Sequence, residues 1–82
     1  MQTGTINRTQ AERLLRSTSF VTAEFITKTG ARRTMNCLYD GSTRGKGRYV
    51  VVVDIDINDY RTINLGRLRR LYVDNGTYEV VV

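Results

Sequence analysis

No histidine occurs in this 82-residue chain, and Cys37 is its one cysteine. The commonest general base and the commonest metal ligand are therefore both missing. A lone thiol forms neither an internal disulfide nor a cysteine-based zinc site. Ser17, Ser19 and Ser42 have no base to activate them, and Asp40, Asp54, Asp56 and Asp59 show no paired spacing for acid–base work. The residues point to a binding protein rather than an enzyme, with no cofactor and no metal.

The chemistry that remains is cationic. Thirteen Lys and Arg stand against eight Asp and Glu, a net charge of +5, and eleven of the thirteen cations are Arg. Arg is the side chain that grips phosphate with two parallel hydrogen bonds and stacks on bases. Two basic clusters are readable: Arg44, Lys46 and Arg48 in the loop Asp40–Arg48, and Arg61, Arg67, Arg69 and Arg70 near Tyr60 and Tyr72. Tyr beside cations is suited to stacking unpaired bases, the usual mode for single-stranded RNA. With Arg32 and Arg33, the candidate nucleic-acid contacts are Arg32, Arg33, Arg44, Lys46, Arg48, Tyr60, Arg61, Arg67, Arg69 and Arg70. RNA is favoured over DNA. The alternative is an inhibitor that docks this basic face on an acidic host protein.

Two motif-like stretches fail on spacing. Gly41-Ser-Thr-Arg-Gly-Lys-Gly47 has three residues between its first glycines and Gly47 after the Lys. A phosphate-binding P-loop needs four residues, then Ser or Thr, and a helix to follow. Asp54-Ile-Asp56-Ile-Asn58 has the start of a calcium loop, but Asp59 replaces the required Gly and Leu65 the closing Glu.

The elements that must hold the cations are one helix and a set of strands. Thr9 and Glu12 have capping-box spacing, and Ala11, Leu14 and Leu15 form an apolar stripe, predicting a helix over 9–17. Arg8, Arg13 and Arg16 lie off the stripe. Strands are expected over 19–27, 32–39, 49–57, 60–64 and 70–74 with 77–82. A three-residue loop at Thr29-Gly30-Ala31 sets Phe25 opposite Met35, Ala23 opposite Cys37 and Val21 opposite Tyr39. Asn75-Gly76 is a hairpin signal that pairs Val73 with Tyr78 and Leu71 with Val80. On the third strand Val51, Val53, Ile55 and Ile57 are expected on the core face, opposite Asp54 and Asp56. Cys37 and Tyr78 also fall on core faces. Closing the strands into a barrel would hide edges that so short a chain cannot otherwise cover, so a single-domain, mainly β, strongly bent five-stranded barrel with one N-terminal helix is expected.

The segments Phe25–Asn36 (FITKTGARRTMN), Tyr60–Leu68 (YRTINLGRL) and the closing LYVDNGTYEVVV hairpin resemble the Sm-like, SH3-type barrel proteins of bacteriophages related to the WYL domain. The Trp-Tyr-Leu triplet itself is absent, Gly66 stands where the pattern has Asp, and Leu68 where it has Ile. The resemblance implies a helix on a five-stranded SH3-like barrel with a basic face toward nucleic acid or a charged ligand, and it matches Arg61 and Arg67 to the family's arginines. It also implies rings formed through edge strands and a counter-defence role, such as RNA-binding inhibition of a host toxin. Met1–Gln10 is polar and reads as no secretion signal, and the longest apolar run, Val50–Val53, is far short of the ~20 residues that span a bilayer. With one unpaired thiol, these features suggest the cytoplasm, which the phage resemblance would make that of a host cell.

Overall fold

A computed structural model describes residues 2–17, 20–41, 46–74 and 76–81. Strand β1 (Gln2–Asn7) leads directly into helix α1 (Arg8–Ser17), and six strands follow: β2 (Val21–Ile26), β3 (Arg32–Leu38), β4 (Tyr49–Asp54), β5 (Asp59–Asn64), β6 (Leu68–Val73) and β7 (Gly76–Val81). The fold is mainly β, as expected, but it has seven strands rather than five. They form one sheet in the order β1-β7-β6-β2-β3-β4-β5, with β1 and β5 at its two edges, so the sheet is open and not a closed barrel. Among the described residues no helix is long and apolar enough to cross a membrane.

That open sheet is nevertheless strongly curled. Four strand-to-strand steps separate β6 from β5, about 19 Å if the sheet were flat. The chain joins them through a tight turn at Leu65–Arg67, where the Arg67 N–H donates to Asn64 O at 2.9 Å and the Leu68 N–H to Leu65 O at 3.3 Å. A turn of this kind spans only about 7 Å. The Ile26 N–H also donates to Arg67 O at 3.0 Å, tying β2 to the turn that follows β5. One core fills the curl: Leu15, Leu65, Leu68, Leu71, Val50, Val52 and Cys37 are its largest fully buried side chains, with Ala11 and Leu15 contributed by α1.

Local chemistry explains where elements start and turn. α1 begins one residue earlier than predicted because its cap is Asn7, not Thr9. The Gln10 N–H donates to Asn7 Oδ1 at 2.8 Å and the Asn7 N–H to Gln10 Oε1 at 2.9 Å, a reciprocal capping box two residues upstream of the expected one. The β2–β3 hairpin has a three-residue loop, but it is Lys28-Thr29-Gly30. Gly30 takes φ +88°, the left-handed position that closes such loops, and the Thr27 N–H donates to Ala31 O at 2.8 Å. The pairing is therefore Val21 with Cys37, Ala23 with Met35 and Phe25 with Arg33, shifted by two residues from the expected register with the same faces kept. β6 and β7 shift likewise: Val73 pairs with Gly76 and Leu71 with Tyr78, so Gly76 opens the strand instead of making the turn.

β4 departs furthest from expectation. It ends at Asp54, and Ile55–Asn58 form a turn in which Asn58 adopts φ 53° and the Asp56 N–H donates to Asp54 Oδ1 at 3.1 Å. Ile55 and Ile57 thus leave the strand, and Ile57 is exposed. Val50 and Val52 are fully buried at the centre of the core, Val51 is buried at its margin, and Val53 is only half-buried. β1, read as polar chain end, is an edge strand running parallel to β7, with Ile6 packed against the core.

Candidate nucleic-acid interface

β3 pairs with β4 through only two residue pairs, Cys37 with Asp54 and Leu38 with Val53. Beyond them the β2–β3 hairpin parts from the β4–β5 hairpin, and a groove of about 570 Å³ opens between the two. This lies within the range of small-ligand sites. Phe25, Ile26, Met35 and Ile63 supply its apolar lining, and Lys28, Arg48 and Arg67 supply three cations. Thr27, Tyr49, Thr62 and Asn64 complete the polar part. Among the described residues no carboxylate lines it.

The sheet keeps the acids elsewhere. In the β4–β5 register Tyr49 pairs with Asn64 at one end and Asp54 with Asp59 at the other. Five residues of strand put these ends about 17 Å apart. Asp56 sits in the turn at the acidic end, where the Asn36 Nδ2 donates to it at 3.4 Å. The β4–β5 hairpin is therefore electrically polarised, basic at the groove and acidic at its turn. Among the described residues no three acidic or thiol side chains converge as a metal set.

Each groove cation is held differently. Arg67 lies in the turn after β5, and its Nη1 donates to Thr27 O at 3.1 Å while its own carbonyl accepts the Ile26 N–H. Its guanidinium is therefore fixed at the head of the groove. Arg48 is exposed, but its carbonyl accepts the Leu65 N–H at 2.7 Å, which extends the β4–β5 ladder to the residue carrying it. Lys28 is exposed at the hairpin tip beside Gly30. Neither Lys28 nor Arg48 meets a carboxylate among the described residues.

Of the ten residues that sequence reasoning singled out, nine are described, and among these the structure brings Arg48 and Arg67 into the groove. Arg32 donates to Glu24 at 2.7 Å, and Arg70 to Glu79 at 3.1 Å and to the Tyr72 hydroxyl at 3.3 Å. The Tyr72 hydroxyl, and after it the Glu79 carboxylate, hold the Arg70 pKa above its usual value. Arg69 donates to the Gly66 and Leu68 carbonyls and braces the turn. Tyr60 donates from its hydroxyl to Asp40 at 2.7 Å, on the acidic side. Arg61 is exposed on β5, Arg33 is exposed opposite Phe25, and Lys46 is exposed just before β4. Arg44 lies outside the described residues.

The groove also holds residues that sequence reasoning did not assign to a site. Lys28, Asn64 and the apolar floor come from segments far apart in the chain, and only the spacing of Lys28 from the turn glycine Gly30 was a local signal. Tyr49 is 45% exposed, and its hydroxyl has no hydrogen-bond partner among the described residues. The other tyrosines left open by sequence are engaged. Tyr39 packs on the core and under the Arg16 guanidinium, 5.1 Å from its ring centre, and Tyr72 accepts from Arg70. Arg16, expected to face outward, is held by Glu12 and the Tyr39 hydroxyl. Cys37 is fully buried and burial, then Asp54, pushes its thiol up to about 12, so it stays protonated and unreactive. Comparison with known proteins finds no matching family model, no matching curated protein and no matching solved structure.

Proposed function

We propose that this protein binds nucleic acid, single-stranded RNA before DNA, in the groove between the β2–β3 and β4–β5 hairpins, and acts by binding rather than catalysis. The observation that carries this reading is the lining: three cations, an exposed Tyr and an apolar floor, with no carboxylate among them. A phosphate neutralised by Lys28, Arg48 or Arg67 releases counterions. An unstacked base finds apolar surface at Phe25, Met35 and Ile63 and a ring to stack on at Tyr49. A duplex keeps its bases stacked inside and uses neither. The resemblance of Tyr60–Leu68 to WYL-related barrel proteins supports the same reading, since Arg67 is one of the two arginines it matches. A phage counter-defence role in the host cytoplasm rests on that resemblance alone.

The test is fluorescence anisotropy with a labelled single-stranded RNA and a duplex of equal charge, at several salt concentrations. Tighter binding of the single strand, weakening as salt rises, is expected. Salt-independent binding, or preference for the duplex, would refute the groove as the site. Absence of binding to any nucleic acid by the folded protein would favour docking of the basic face on an acidic protein.

A further inference from the structure

Asn64 differs from the other polar residues of the groove because one end of its amide is already committed. Its Oδ1 accepts the Gly66 N–H at 2.9 Å, closing a small turn within Asn64–Gly66. A backbone N–H can face only the oxygen of a side-chain amide, so this contact fixes which way the amide lies. Gly66 is part of the device: a Cβ there would come within 3.2 Å of that same Oδ1, tighter than ordinary contact. The other end, Nδ2, has no partner among the described residues, and Asn64 lines the groove directly across the ladder from Tyr49.

The groove is consequently rich in donors and poor in acceptors. Lys28, Arg48 and Arg67 carry donors only. Asn64 adds a donor whose orientation is set. Of the three hydroxyls in the lining, that of Thr27 already accepts the Ala31 N–H at 3.2 Å and meets the Thr29 hydroxyl at 3.0 Å, which leaves those of Tyr49 and Thr62 as acceptors. An amide normally reads adenine through both ends at once, Oδ1 accepting from the amino group while Nδ2 donates to the ring nitrogen. With one of its two lone pairs taken by the Gly66 N–H and the amide plane fixed by that turn, Oδ1 is poorly placed for the double contact, and an adenine amino group otherwise faces donors. A base edge that carries carbonyl oxygens meets no such conflict.

Building on the nucleic-acid reading above, we propose that Asn64 is a specificity-determining residue and that the groove selects a carbonyl-bearing base, uracil, over adenine. The fixed Nδ2 donates to the carbonyl oxygen, and Gly66 is the residue that permits this orientation.

The probes are fluorescent oligouridylate and oligoadenylate of equal length, titrated against the full chain and two variants. Asn64→Asp keeps an oxygen for the Gly66 N–H but turns the donor into an acceptor. Asn64→Ser also keeps a turn-forming oxygen and removes the amide without adding charge. Because oligoadenylate stacks on itself, the change in the uridylate-to-adenylate ratio between proteins is read rather than the ratio alone. The expected result is a preference for oligouridylate that falls by about tenfold in both variants, the effect of one hydrogen bond made or left unmade. Circular dichroism checks that each variant is folded. A ratio that both folded variants leave unchanged, or wild-type preference for oligoadenylate, would overturn the assignment while leaving the binding site standing. Failure of the wild-type chain to bind either oligonucleotide would overturn both.

Discussion

Removing Lys28 and Arg48 together tests whether the groove, rather than net charge, attracts RNA. Sequence alone gives +5, and neutralising about five phosphates would set a log–log salt slope near −3.5 at ~0.7 per phosphate of a single strand. The structure concentrates three cations in the groove, which lowers the expected slope to about −2. Lys28→Ala with Arg48→Ala leaves Arg67 in place, since its side chain holds Thr27 and its loss would disturb the turn. The slope should flatten by about 1.4, and affinity at 0.1 M salt should fall roughly 25-fold, with little difference near 1 M. The control is Arg32→Ala with Arg70→Ala, which removes the same charge from residues already paired with Glu24 and Glu79. Anisotropy titrations at four or five salt concentrations give each slope. If the control flattens the slope as much as the groove variant, RNA follows the overall charge and the groove argument fails.

Other perturbations probe the frame around the site. Leu15 is fully buried on α1 whereas Leu14 is only partly so; Leu15→Ala should cost about 3 kcal/mol in urea unfolding and Leu14→Ala clearly less, and equal losses would mean the helix docks differently. Asn7→Ala should destabilise by about 1 kcal/mol while Thr9→Ala changes stability little, because the cap is Asn7; the reverse order would move the cap back to Thr9. The raised Cys37 thiol, about 12 when folded, predicts pH dependence with a definite sign. Below its unfolded pKa its contribution is fully present, and from about pH 9 toward 12 the unfolded chain loses a proton the folded chain keeps. Stability should fall there with a limiting slope near 1.4 kcal/mol per pH unit from this group, measurable as the difference between wild type and Cys37→Ala across pH 8 to 10.5. A difference that does not change with pH would show the thiol to be accessible.

Features governed by neighbours in the chain were legible in the sequence. Ala11, Leu14 and Leu15 declared the helix because a 3.6-residue period is a local property, and Gly30 marked the first hairpin because a left-handed position calls for glycine. The faces of β2 and β3 were also legible, since Ala23, Met35 and Cys37 alternate with polar residues and a two-residue shift preserves that alternation. The phase of β4 was not: four consecutive valines carry no alternation, and the Asp-Ile-Asp-Ile stretch used to set it leaves the strand at Asp54. β1 was invisible for a related reason. Its residues are mostly polar, and it becomes a strand by pairing in parallel with β7, far away in the chain.

The basic character of the protein, and its lack of histidine and of a second cysteine, belong to composition and needed no structure. Which cations are available was decided only in three dimensions. Arg32 and Arg70 read like binding residues until pairing sets them beside Glu24 and Glu79, while Lys28 gains importance because curling brings the tip of one hairpin toward the base of another. The physical reason is that charge is additive along a chain but a site is not. A groove requires side chains from separated segments to converge, and that convergence follows from the short turn that bends β5 back toward β6.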